Sequence, residues 1–167
     1  MKRRFEVIGD LVEKHGLKHG VEIGCSKGNF LRGLLNRCKK VHLTSIDPWV
    51  AIPGEEYEHY PHEENYERAR QRSESYFGRS VLIRDTSANA VGLFDDESLD
   101  FVFIDGAHTY EGCKLDIELW TPKVKIGGFV TGHDYRADLF PGVIKAVDEI
   151  FPDAEKADES VWIVQRS

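Results

Sequence analysis

No stretch of this sequence approaches the roughly 18 consecutive apolar residues that a membrane-spanning helix needs, which argues against a membrane partner. Cysteine is scarce. Cys25, Cys38 and Cys113 form no CxxC pair, and an odd, scattered set suits the reducing cytoplasm rather than a disulfide scaffold. Positive charge is also short: 22 Lys and Arg against 29 Asp and Glu leave a formal net charge of −7. A protein that tracks a phosphate backbone carries a basic face. The dense basic tracts here, Lys2-Arg3-Arg4, Arg37-Cys38-Lys39-Lys40 and residues 68–72, are short, so nucleic acid is not the expected partner. The N-terminus lacks the uninterrupted apolar core of a secretory signal, because Glu6, Asp10 and Glu13 break it. No internal repeat and no low-complexity tract is found.

The 167 residues suffice for one domain with a real core, and 41% hydrophobic with 31% charged residues reads as soluble and globular. Strand-like and helix-like segments alternate throughout, which predicts an α/β fold: a Rossmann-like, doubly wound, mostly parallel sheet. Residues 4–15 read as an amphipathic helix with Phe5, Ile8, Leu11 and Val12 on one side, ended by Gly16. Strands are expected at 20–24, 41–46, 80–84 and 99–104, with another following the turn at Gly127-Gly128. Helices are expected from Gly28, over 63–77, over 110–121 and over 142–151. The Arg and Glu residues of 63–77 read as a solvated face. Segments 154–157 and 161–165 read as a C-terminal antiparallel hairpin. Residues 48–65 hold three prolines and three aromatics and read as a loop or lid within the single 1–167 domain.

Four motifs carry chemistry. In VEIGCSKGNF, Glu22, Gly24, Ser26 and Gly28 span a strand-to-helix turn. Glycines let backbone approach a ligand closely, and a helix N-terminus offers free N–H groups to an anion. The dinucleotide pattern G-x-G-x-x-G is absent, since residue 26 is Ser, which sets a nicotinamide dehydrogenase aside. Glu22 suits a ligand bearing an ammonium group; a tight structural turn is the plainer alternative. Asp47, at the end of the second strand, is placed to accept ribose hydroxyls, or to cap a turn. Trp49 beside it suits an adenine contact or an ordinary core position. Asp85, Thr86 and Ser87 offer polar groups to an adenine edge, or an N-cap to a helix. The last motif joins DFVFIDGAHTYEGCKLDIELW to GGFVTGHDY. It puts Asp105 and His108 past one central strand and His133 and Asp134 past the next, where open α/β sheets bind ligands. Two carboxylates and two imidazoles together suit a divalent metal or a general base.

Taken together, these motifs resemble the class I S-adenosylmethionine (SAM)-dependent methyltransferases. DGAHTYEGCKLDIELW, GGFVTGHDY and FPGVIKAVDEIF are similar to the small-molecule O-methyltransferase group, which includes macrolide-sugar and other natural-product methyltransferases. The resemblance runs over residues 19–151. It implies SAM as cofactor, a small-molecule hydroxyl as acceptor, and possession of a methionine pocket at Glu22, Gly24, Ser26 and Gly28. It further implies Asp47 on the ribose, Asp85 and Thr86 near the adenine, and Asp105 at the cofactor and metal. Metal-dependent relatives hold Mg2+ through positions matching Asp105 and Asp134. Catechol-type relatives then carry Asn where this chain has Tyr135, so His108 or His133 would complete the set. An imidazole ligand moves the preference from Mg2+ toward Mn2+, iron or zinc. Without metal, Asp105 would remain essential, with His108 or His133 as base. Residues 48–65 are the obvious cover of the acceptor, with His59 and His62 placed to line it. A homo-oligomer is compatible with all of this. So are two other functions: a non-catalytic SAM-binding module, and a metal-dependent hydrolase or hydroxylase built on the Asp/His cluster.

Overall fold

The computed structural model describes residues 2–52 and 57–167. Helix α1 (Arg4–His15) buries Ile8 and Val12 and ends at Gly16, whose φ of 66° is the left-handed turn that glycine adopts without a Cβ penalty. Then come β1 (His19–Ile23), α2 (Asn29–Arg37), β2 (His42–Asp47), α3 (His62–Glu74) and β3 (Ser80–Arg84). The second half comprises α4 (Ser87–Ala90), β4 (Leu99–Ile104), α5 (Tyr110–Trp120), β5 (Val124–Gly132), α6 (Pro141–Ile150), β6 (Glu155–Lys156) and β7 (Trp162–Gln165).

Among the described residues, all seven strands form one sheet in the order β3-β2-β1-β4-β5-β7-β6. The first five are parallel; β7 runs antiparallel to β5 and pairs with β6 as the expected hairpin. Strand β4 is apolar on both faces because helices cover both. Phe101 and Phe103 face the side of α1, α2 and α3, while Val102 and Ile104 face α4, α5 and α6. Phe103 stacks on Phe30 of α2 with ring centroids 4.0 Å apart. The chain leaves β1 toward β2 on one side and returns to β4 on the other. That reversal opens a crevice above the carboxyl ends of β1 and β4.

Two boundaries differ most from the sequence reading. Strand β5 begins at Val124, upstream of Gly127-Gly128, so that pair lies inside the strand rather than before it. The register shifts between Leu99 and Phe101, and a Cβ on Gly128 would lie 2.7 Å from the Asp100 carbonyl oxygen. Gly128 thus serves close backbone approach, while Gly127 holds a left-handed φ of 80° with nothing within 4 Å of its Cβ position. Helix α3 stops at Glu74, leaving Phe77 96% exposed. The short α4 is the helix that the N-cap alternative at residues 85–87 anticipates.

Candidate active site

A cavity of about 530 Å³ opens over the carboxyl ends of the central strands. Gly24, Ser26, Asp47, Thr86, Asp105, His108, His133 and Asp134 all line it. Its volume falls in the range of small-molecule sites, roughly 300–1,000 Å³.

Asp47 is anchored from two sides. Ser26 N–H donates to Oδ2 and Trp49 N–H to Oδ1, each at 2.8 Å. Both donors hold left-handed backbone conformations, with φ of 48° at Ser26 and 42° at Trp49. Non-glycine residues rarely adopt that region, and such strain collects at functional sites. Trp49 is 1% exposed and donates its indole N–H to the Ser26 carbonyl at 2.7 Å. It therefore braces the loop as well as lining the cavity. Burial raises the Asp47 pKa, against the two backbone N–H donors.

The Asp/His cluster closes the other end. His108 Nε2 lies 2.6 Å from Asp134 Oδ2. An ionised carboxylate only accepts, so Nε2 carries the proton and Nδ1 accepts from the Tyr57 hydroxyl. Phe140 stacks on the same ring, with centroids 4.1 Å apart. His133 Nδ1 sits 3.0 Å from Asp134 Oδ1 and 3.3 Å from Asp105 Oδ1, in line with neither. Burial opposes its charge, but the two carboxylates outweigh that and push His133 up to about 9. Burial likewise works against ionised Asp134, yet the two imidazoles hold it well below the ordinary carboxylate range. One ligand atom each from Asp105, His108 and Asp134 lies within 4.8 Å of the others, and two oxygens with one nitrogen suit a divalent transition ion.

Not every expected residue reaches the cavity. Glu22 is 1% exposed, accepts from Ser45 Oγ at 2.5 Å, and is not among the lining residues. Burial pushes its pKa up to about 8 from a reference of 4.5. An acid raised in the fold is protonated in both states below pH 4.5. As pH climbs from 4.5 to 8, only the unfolded chain releases the proton, so stability falls across that window and no further above it. Glu22→Gln should therefore stabilise the protein by about 3 kcal/mol at pH 7, and by nothing below pH 4.5. Denaturant melts at both values check this; a pH-independent difference would refute it.

Gly28 caps α2 at a φ of 73°, and a Cβ there would lie 3.2 Å from Ala69 Cα, so it serves helix packing. Asp85 accepts from the Thr86 backbone N–H and the Asn89 side-chain amide and is not among the lining residues. Thr86 caps α4 through Asn89 N–H at 3.2 Å and lines the cavity as well. Of the 48–65 cover, residues 53–56 lie outside the described residues. Tyr57, Tyr60 and His62 line the cavity, whereas His59 is exposed and does not.

Among the cavity residues missed by sequence are Arg4 and Asp116. Arg4 of α1 places Nε 3.4 Å from Asp105 Oδ2. Asp116 of α5 is 5% exposed, accepts from Ser87 Oγ, and is raised to about 6 by burial. Its signal was available: a carboxylate on the same side of α5 as Cys113, Ile117 and Trp120.

A family model described as a methyltransferase domain matches residues 21–135. An uncharacterized protein of Sinorhizobium fredii is 33% identical over 90 residues, 54% of this chain and 10% of that protein. The chain thus spans a small part of that relative. An uncharacterized protein of Acanthamoeba polyphaga mimivirus is 29% identical over 166 residues, covering 95% of this chain and 70% of that one. Among solved structures, a Staphylococcus aureus protein provisionally named a caffeoyl-CoA O-methyltransferase superposes with a TM-score of 0.74. It is 19% identical and covers 100% of this chain and 85% of its own. An O-methyltransferase from Bacillus cereus, in complex with S-adenosylhomocysteine (SAH), gives 0.70 at 14% identity, with 98% and 80% covered. A SAH-bound Podospora anserina methyltransferase gives 0.70 at 13%, with 100% and 80% covered. At these identities the likeness is one of fold.

Proposed function

The chain belongs to the methyltransferase domain family, and we propose that it transfers the methyl group of SAM to a hydroxyl of a small molecule, assisted by a divalent cation. The observation that carries this reading is the convergence in one cavity of the Gly24–Ser26 turn, the anchored Asp47, and the Asp105, His108 and Asp134 cluster. The solved relatives named for O-methylation or bound to SAH support the donor and the acceptor class.

Asp47 receives the ribose, its oxygens already oriented by two backbone N–H groups and still carrying spare lone pairs. The Gly24 turn allows the donor's methionine end to lie against backbone. Asp105, His108 and Asp134 would hold the cation, and His133 offsets their negative charge rather than taking the proton. A cation there would supply Lewis acidity that lowers the acceptor hydroxyl's pKa. Holding the acceptor oxygen in line with the methyl group is the larger task, worth about 7–11 kcal/mol in well-oriented models.

One observation favours a second, metal-free reading. His108 has a protonated Nε2 fixed on Asp134 and an accepting Nδ1 already engaged by a hydroxyl, which is the arrangement of an oriented general base. Exhaustive chelation separates the two: abolished transfer, restored by Mn2+, supports the cation, and undiminished transfer supports His108 as base. The three free, buried cysteines support a reducing, cytoplasmic setting.

The donor reading is tested by calorimetry with SAM and SAH. Micromolar binding that weakens at least tenfold in Asp47→Ala is expected; no binding to well-folded wild type would refute it.

A further inference from the structure

The first turn of α3 carries two polar atoms that the protein leaves unsatisfied. His62 Nε2 and Asn65 Oδ1 are buried and have no hydrogen-bond partner among the described residues, and Asn65 as a whole is 3% exposed. Buried polar side-chain atoms are nearly always paired, and each unpaired one costs about 1–3 kcal/mol. Their surroundings say what they lack. Both residues line the reaction cavity, and His62 lies within electrostatic reach of Asp47. Tyr66, on the same turn of α3, packs edge-on against Trp49 at 5.1 Å, and Trp49 is the residue that braces the Asp47 loop.

We infer that His62 and Asn65 are nucleoside-contacting residues that, with Asp47, receive the two hydroxyls of a ribose. This rests on the SAM reading above. The donor and acceptor count closes. A vicinal diol brings two hydrogens, one for the Asp47 carboxylate and one for Asn65 Oδ1. It also brings two oxygens with free lone pairs, and the His62 imidazole, with a proton on Nε2, donates to one of them. The bound diol thus satisfies both atoms that the ligand-free protein leaves unpaired.

The measurement is calorimetric binding of SAH and of its 2′,3′-dideoxy analogue to wild type, His62→Phe and Asn65→Leu, with thermal melts of the ligand-free proteins. Both variants keep side-chain bulk and remove an unpaired polar atom, so their ligand-free Tm should equal or exceed that of wild type. Their SAH affinity should fall about tenfold, and their affinity for the dideoxy analogue should match that of wild type. A merely structural pair would lower Tm and leave SAH affinity unchanged, which overturns the inference. An equal loss for both ligands overturns it too, because the hydroxyls would then not be what is read. Should either variant fail to fold, His62→Gln and Asn65→Ala replace them. His62→Gln keeps a hydrogen-bonding group at similar reach and should retain SAH affinity, while Asn65→Ala should lose it; the reverse order refutes the assignment. Wild type that binds the dideoxy analogue as tightly as SAH refutes the ribose role alone, and wild type that binds neither refutes the donor reading with it.

Discussion

Asp134→Asn should lower methyl transfer by about a thousandfold or more while leaving SAH affinity within twofold, because it removes a charge and little else. The substitution is conservative for a backbone reason. Asp134 has a φ of 58°, a conformation that Asn adopts nearly as readily as Asp and Ala adopts poorly. The chain path into the 135–140 turn should therefore survive. What changes is the acceptor at the centre of the cluster. His108 Nε2 loses an ionised partner at 2.6 Å, and His133 keeps only one of its two carboxylates. The amide cannot serve as an anionic metal ligand, and it no longer fixes the His108 tautomer. Both readings of the chemistry thus predict loss of turnover. They part on metal affinity: calorimetry with Mn2+ should show binding in wild type and none in the variant if the cation reading holds. Transfer at more than a tenth of the wild-type rate, with the fold intact by circular dichroism, would remove Asp134 from the machinery.

How much of this was legible beforehand depended on whether a signal is local. The end of α1 at Gly16, the bounds of β3 and β4, and the C-terminal hairpin all follow from turn chemistry and short apolar runs, which nearest neighbours determine. Asp105, His108 and Asp134 were found together because a doubly wound sheet brings strand ends to one edge, so position after a strand already implies a shared crevice. Glu22 shows where that logic stops. Residues within a strand alternate between faces, and Glu22 points into the core beside Ser45 rather than up into the cavity; sequence spacing says nothing of that depth. Arg4 and Asn65 were hidden for a related reason. A polar residue on a helix reads as solvated, and only packing decides that the first turns of α1 and α3 sit at the cavity rim. The β5 start is obscured because Gly127-Gly128 reads as a turn, whereas the demand for glycine at Gly128 comes from backbone of the neighbouring strand.

The same kind of non-local demand makes Gly24 the position of largest expected structural effect. Its φ of 86° is costly for any L side chain, and that cost alone is about 1–2 kcal/mol. A Cβ there would also lie 2.1 Å from the Asp105 carbonyl oxygen and 2.5 Å from the carbonyl carbon. Neither is the end of a flexible side chain. Gly24 N–H donates to Ile46 O at 2.9 Å, and Asp105 N–H donates to Ile23 O at 2.8 Å, so the ends of β1, β2 and β4 are tied at this point. An added methyl must push β4 off its neighbour or twist Asp105 out of the cluster. Gly16→Ala is the control that isolates the strain. Gly16 shares the left-handed conformation, at 66°, but nothing lies within 4 Å of its Cβ position. We expect Gly16→Ala to cost about 1 kcal/mol and Gly24→Ala at least about 4 kcal/mol, a drop in Tm of roughly 8–16 °C for a chain of this size. Turnover should vanish in Gly24→Ala even where it remains folded, because Asp105 moves with its own carbonyl, and stay near wild type in Gly16→Ala. Equal melting temperatures for the two variants would mean that the crowding at Gly24 relaxes freely, and that the strand ends are not what sets the position of Asp105.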